Sequence, residues 1–312
     1  MNAMRLLVTG GAGCLGSNLV EKFFLQGYPT CVIDNFSTGK REVLQAQPGL
    51  MVVEGSVANA DLVNRTFADF QPTHVIHCAA AYKDPLNWVE DVATNVLGAI
   101  HVANAALKSN VSRFINFQTA LCYGRTNMVP ITRDQPTAPF TSYGISKTAG
   151  EAYLMQSGLP VVSLRLANIC GPRLAIGPIP NFYKRLKAGQ NCFCSDAIRD
   201  FLDISDFFSL INKVLKPDAS TGIYNVSTGK GRSIRDVYLA VSNYLGIIPS
   251  DILVVPTGVD DVPSVILDPF ATEKAFDWRA QVDFEEVIAN QLRWYDEHGV
   301  TDVFSHLALP AA

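Results

Sequence analysis

Charge is what this chain has least of. Asp, Glu, Lys and Arg make up 17% of its 312 residues, and the net charge is −4, where a typical globular domain carries about a quarter charged residues. No run of five basic residues occurs, which argues against nucleic acid as a main partner. No stretch of 18 apolar residues occurs either, and no cleavable apolar segment precedes the first strand-like run. The expected setting is therefore soluble and cytoplasmic, with no membrane contact. Among seven cysteines, Cys192 and Cys194 have no companion pair at ligand spacing, while Cys31 and Cys78 sit in apolar runs. They read as reduced, mostly buried thiols, and no metal is expected. Internal repeats and low-complexity segments are absent as well. At 48% hydrophobic, the chain can bury a full core as one large domain or two small ones.

What is there alternates. Apolar strand-like runs fall at 4–9, 30–34, 50–53, 74–79, 113–119 and 160–166, with helical patterns near 16–26, 60–69, 91–109 and 143–156. Such alternation predicts a parallel sheet with crossover helices. Regular alternation stops after Gly171-Pro172. A short basic helix at 184–187, a strand-into-helix run at 201–215 and a strand at 222–226 follow, then a smaller mixed segment at 230–305 and a loose tail from Leu307 to Ala312. The fold expected is α/β, a doubly wound Rossmann-type parallel sheet over 1–170 that segments of 200–228 rejoin. A smaller mixed α/β cap is expected from 171–199 and 229–312.

Two local patterns carry chemistry. The first run ends in Thr9-Gly-Gly-Ala-Gly-Cys-Leu-Gly16 and leads into an amphipathic helix. Strand, glycine turn and helix come in the order that phosphate binding at a helix N-terminus requires. A second strand ends in Asp34, 24 residues after Gly10, where an acid grips the adenosine ribose of a dinucleotide. In the second pattern, Tyr143 and Lys147 stand four apart in Ser142-Tyr-Gly-Ile-Ser-Lys147. On a helix that spacing puts ammonium and phenol on one face. A phenol titrates near pH ~10 and is a poor base at neutrality unless a neighbour stabilises its anion, so the pair reads as one acid/base unit. Blander readings stay open: Thr119 as a strand-end hydroxyl capping the next turn, Lys83 as a solvated loop charge, Arg199 paired with Asp203 or Asp206, and Arg173 as solvated. His74 and His77 point to opposite faces of a strand and cannot chelate one ion.

Over about residues 1–300 the chain resembles the extended short-chain dehydrogenases/reductases, in the branch of nucleotide-sugar epimerases and dehydratases. The motifs are Thr9 to Gly13, Asp34-Asn-Phe-Ser-Thr-Gly39, His77-Cys-Ala-Ala80, Asn95-Val-Leu-Gly98, Tyr143 to Lys147, Arg165-Leu-Ala-Asn168, Gly171-Pro172 and Arg199-Asp-Phe201. Asn116 to Gly124 and the region of Tyr143 are similar to epimerase/dehydratase proteins of bacterial lipopolysaccharide O-antigen loci. The resemblance implies an NAD-dependent homodimer acting on a nucleotide sugar, most simply a UDP-sugar. It implies pyrophosphate at Gly10, Gly13, Cys14, Leu15 and Gly16, and adenosine ribose at Asp34 with Asn35, Ser37 and Thr38 beside it. Ser56 and Val57 would flank adenine, and Ala79, Ala80, Ala81, Lys83 and Asn95 would line the cofactor. Thr119, Tyr143 and Lys147 match the catalytic set. Lys83, Thr119, Asn168, Asn181 and Arg199 match substrate positions. Dehydratases of this family carry Asp-Glu after the catalytic Ser/Thr, where this chain has Ala120-Leu121. The implied activity is therefore 4-epimerisation through a transient 4-keto sugar. A dehydratase or other oxidoreductase on a nucleotide sugar is the alternative within the fold, and an NAD-sensing binding protein without turnover the alternative outside it.

Overall fold

Apolar runs rich in Val, Ile and Leu cannot leave both faces in water, so they stack side by side and are covered by the helices between them. The computed structural model describes residues 4–44, 49–249, 251–258 and 261–304, and the loose tail expected at 307–312 lies outside these. The first half runs β1 (Leu6–Thr9), α1 (Cys14–Leu25), β2 (Thr30–Asp34), β3 (Leu50–Glu54), α2 (Ala60–Phe70), β4 (His74–His77), α3 (Trp88–Asp91), α4 (Gly98–Lys108), β5 (Arg113–Thr119), α5 (Ser142–Gln156) and β6 (Val161–Leu166). Then come β7 (Asn168–Cys170), α6 (Pro178–Lys187), β8 (Phe193–Ser195), β9 (Ile198–Arg199), β10 (Phe201–Asp203), α7 (Ile204–Val214) and β11 (Gly222–Val226). The last part holds β12 (Arg232–Ser233), α8 (Ile234–Tyr244), β13 (Leu253–Val255), β14 (Ser264–Val265), α9 (Phe270–Phe276) and α10 (Phe284–His298).

Seven strands make one parallel sheet in the order β11-β6-β5-β4-β1-β2-β3. The order turns back between β1 and β4, and the crevice outside their carboxyl ends is where such sheets bind ligands. Leu6, Val8, Ile76 and Ile115 face one layer, with Leu19 and Phe23 of α1, Phe207 and Leu210 of α7 and Phe276 of α9. Leu7, Ile33, Val75 and Phe114 face the other, with Val63 and Phe67 of α2, Val102 of α4 and Leu154 of α5. A third core joins Ile179 and Phe182 of α6, Val237 and Val241 of α8, and Ile288 and Leu292 of α10.

Three expectations are corrected. Gly222–Val226 rejoins the main sheet, but Phe201–Asp203 pairs in parallel with β7 in a separate two-stranded sheet. Part of the segment assigned to the cap folds back, since Phe276 and Trp278 pack into the core under the main sheet. The helix expected over 91–109 is α3 and α4 joined by a π-helical turn at Val92–Leu97. Such turns concentrate at functional sites, and this one buries Thr94 and Asn95.

Candidate active site

The glycine turn lies at the point where the sheet order reverses. Gly10 has φ +65°, and a Cβ there would sit 2.7 Å from the backbone nitrogen of Ala79, at the end of β4. A Cβ on Gly16 would sit 2.2 Å from the carbonyl oxygen of Gly10. Only bare backbone brings β1, β4 and α1 this close. No side chain caps the N-terminus of α1, and Gly13 occupies the capping position. The first-turn N–H groups, including those around Cys14 and Leu15, are therefore available to an anion. The Cys14 thiol is pushed up to about 12 by burial, with Arg173 opposing, so at neutral pH it is a neutral packing group.

Asp34 ends β2 as a buried carboxylate, accepting hydrogen bonds from the N–H of Ala12 at 2.7 Å and of Phe36 at 2.8 Å. These donors fix the carboxylate while leaving it lone pairs for a diol. Asn35, Ser37 and Thr38 are exposed on the loop beyond. A Cβ on Gly39 would sit 2.6 Å from the carbonyl carbon of Ala12, so that loop leans on the glycine turn. Val57 is buried against Gly98, and Ser56 turns its hydroxyl back to the N–H of Ala58. Ala79 donates its N–H to Thr9 Oγ1 at 3.3 Å. Asn95 bonds to both the 79–81 loop and α5. It is buried, accepts from Ala81 N–H at 2.9 Å, and donates to Ala81 O at 2.9 Å and Ser146 Oγ at 3.0 Å. Its carboxamide therefore holds the 79–81 loop against α5.

Tyr143 and Lys147 fall in the first two turns of α5, where Thr141 caps the helix by accepting from Gly144 N–H. Lys147 is 5% exposed, and its ammonium makes no hydrogen bond among the described residues. Burial pushes it down to about 8, opposed by Cys78 and Glu151. Its proximity to Cys78 and His77 places it at the end of β4, beside the glycine turn. The Tyr143 phenol is pushed up by burial first, then by Tyr82 and Asp91. Thr119 ends β5 with Oγ1 accepting from Leu121 N–H at 3.2 Å. The capping reading of Thr119 is therefore realised, and its O–H remains free to donate. Gly144 packs against the turn that follows Thr119, a Cβ there lying 3.2 Å from Leu121 O.

Several contributors escaped the sequence reading. Tyr82 meets Tyr143 edge-on at 6.3 Å between ring centroids. Asp91, buried, accepts from Ser142 Oγ at 2.5 Å under the start of α5. Gln118 is buried beneath Lys147. Glu151 pairs with Arg165 at 2.7 Å, both nearly inaccessible, and accepts from Ser163 Oγ at 2.6 Å. Asn116 and Gln118 recur with period two inside the apolar β5 run, and that pattern was the signal available for them.

Of the substrate positions, Asn168 pairs with Phe201 across β7 and β10 and donates from Nδ2 to Asp200 O at 3.0 Å, while Arg199 lies on β9. Arg199 pairs with Asp261 at 2.7 Å, not with Asp203 or Asp206. Those two carboxylates serve instead the start of α7 and the backbone of Gln281 and Val282. Asn181, on α6, donates to Gly177 O within its own turn. Lys83 is exposed and lies near Asp302. Arg173, read as solvated, reaches Glu21 on α1 at 2.6 Å. Among the described residues no cluster of potential metal ligands is present, and no helix is long and apolar enough to cross a membrane.

The glycine cradle, the Asp34 carboxylate and the unpartnered, nearly buried ammonium of Lys147 fit a dinucleotide lying across the crevice. The acid at the ribose end disfavours a 2′-phosphate. Comparison with known proteins agrees. The model of the NAD dependent epimerase/dehydratase family matches residues 6–227. The Bordetella bronchiseptica enzyme WbmG, solved with NAD and with NAD and UDP, is 63% identical, with a TM-score of 0.94 and 98% of each chain covered. WbmH of the same organism, solved with NAD+, is 40% identical, with a TM-score of 0.89 over 95% of this chain and 100% of that one. UDP-arabinose 4-epimerase 1 of Arabidopsis thaliana is 28% identical over 94% of this chain and 80% of its own length.

Proposed function

The chain belongs to the NAD dependent epimerase/dehydratase family, and from that premise we propose that it is an NAD-dependent nucleotide-sugar 4-epimerase. Its place is the cytoplasmic supply of sugars for lipopolysaccharide O-antigen, with a UDP-sugar as substrate. The observation that carries the chemistry is the Tyr143–Lys147 helix set at the switch-point crevice beside Thr119, with Ala120 and Leu121 where an acid pair would serve elimination. Neither side chain exchanges a proton. The carboxylate nearest Tyr143 in effect, Asp91, is buried and bonded to Ser142.

Bound NAD supplies a hydride acceptor and a positive charge beside the phenol. Gly10, Gly13 and Gly16, with the backbone of Cys14 and Leu15, would hold its pyrophosphate, and Asp34 the adenosine ribose. Lys147 would offer its ammonium to the nicotinamide ribose. Tyr143 takes the proton of the sugar 4-hydroxyl as the carbon-bound hydrogen leaves as hydride. Tyr143 would return that proton to the oxygen when the turned keto sugar is reduced on its other face. Thr119 donates to the reacting oxygen, where charge develops. Residues 1–170 carry the cofactor, and the cap with Asn168, Asn181 and Arg199 carries the nucleoside diphosphate. The exposed apolar side chains Trp88, Val89, Val92, Leu97, Ile145 and Tyr153 support a homodimer through the side formed by α3, the π-helical turn and α5.

Proton NMR with a panel of UDP- and dTDP-sugars in deuterated water tests this reading. Interconversion of a carbon-4 pair with no deuterium at any sugar carbon is expected. Deuterium at carbon would mark elimination or carbon-5 chemistry, accumulating NADH a dehydrogenase, and tight NAD binding without product a sensor.

A further inference from the structure

Beneath α5 the sheet presents a run of buried polar side chains. Asn116 and Gln118 on β5 and Ser163 and Arg165 on β6 are all buried. Residues 143, 147 and 151 share one face of α5, and two of them are anchored to this layer. Glu151 is held by Ser163 and Arg165. One turn earlier, Gln118 donates from Nε2 to the carbonyl of Lys147 at 2.9 Å and accepts the N–H of Thr119 on Oε1 at 2.7 Å. A leucine or methionine would fill the same space, and a buried carboxamide is costly unless both its ends are bonded. Both are, and the two backbone groups it joins belong to Thr119 and Lys147.

We infer that Gln118 is a positioning residue for the reaction, registering the Thr119 hydroxyl against the Tyr143–Lys147 helix. The inference rests on the catalytic roles given above. Two anchors a turn apart fix both the slide of α5 along the sheet and its roll about its axis. The Gln118 anchor is the one that reaches the strand end carrying Thr119. Loss of that anchor lets the phenol and the hydroxyl drift apart, and a misplacement of about 1 Å costs roughly a hundredfold in rate.

The test compares Gln118→Met and Gln118→Glu with the wild type in kcat, KM and thermal midpoint. It adds hydrogen–deuterium exchange of the peptide spanning 143–148. Gln118→Met is expected to lower kcat by about 10- to 100-fold, with KM changed less than about threefold. Exchange at 143–148 should quicken about tenfold while 150–156 stays protected. Gln118→Glu keeps the acceptor for Thr119 and, assayed at a pH high enough to ionise its buried carboxyl, has no donor for Lys147, so there it should match the loss in Gln118→Met. A Gln118→Glu protein with wild-type kcat at that pH would reduce Gln118 to satisfying one amide and overturn the inference. So would a folded Gln118→Met protein with unchanged kcat and exchange. Should either fail to fold, Gln118→Asn keeps a carboxamide but falls about 1.5 Å short of Lys147, and the same losses are required of it. If the wild type itself turns over no sugar, the catalytic reading fails separately, and unchanged exchange in the variants would still overturn the positioning role.

Discussion

Gly16→Ala puts the cofactor cradle to a numerical test. The added methyl carbon would lie 2.2 Å from Gly10 O and 2.8 Å from Gly11 Cα. Both neighbours are backbone, so no side chain can swing aside, and α1 must lift from the turn by roughly an ångström. Overpacking of this kind costs about 1–3 kcal/mol, which at about 2 °C per kcal/mol lowers Tm by about 2–6 °C. The larger effect is on NAD, because the displaced N–H groups are those that face the pyrophosphate. With NAD at 100 times the wild-type Kd, the wild type gains about 2.7 kcal/mol, or about 5 °C. A variant binding about 100-fold more weakly gains only about 0.4 kcal/mol, or about 1 °C, at the same concentration. Thermal melts with and without NAD read both quantities. Gly258→Ala serves as the control, since a methyl there meets nothing within 4 Å. A Gly16→Ala protein whose Tm rises with NAD as far as the wild type's would refute the cradle.

Tyr143→Phe should retain NAD, seen as unchanged cofactor absorbance, while turnover by NMR falls about 10²- to 10⁴-fold; undiminished turnover would remove Tyr143 from the chemistry. Burial holds the Lys147 ammonium at about 8, below its usual 10.5, so between those values the unfolded chain binds more protons and its contribution to stability rises with pH. Without NAD, Lys147→Met is therefore expected to exceed the wild type in stability at pH 7 by roughly 3 kcal/mol, the gap closing as pH climbs to 10.5. A gap that stays constant in denaturant titrations would contradict it. Glu151→Ala strands the Arg165 guanidinium in the layer under α5 and should cost about 3–5 kcal/mol, with Glu151→Leu plus Arg165→Met recovering most of the lost Tm.

The sequence by itself determined the strand–helix alternation, the glycine turn, the carboxylate ending β2 and the one-faced pair Tyr143 and Lys147. Each is a local matter of backbone conformation or of which face a side chain takes, and period and spacing encode both. Tertiary structure alone decided partners. β10 takes β7 instead of the main sheet, Phe276 and Trp278 return to the main core, and Arg199 finds Asp261, 62 residues away along the chain. Asn95 and Gln118, which as residue types could face ligand or protein equally well, were assigned by the segments that fold against them: Ala81 and Ser146 for one, Thr119 and Lys147 for the other. A buried polar group takes whichever donors and acceptors the fold brings within about 3 Å, and that distance exists only once distant segments have packed.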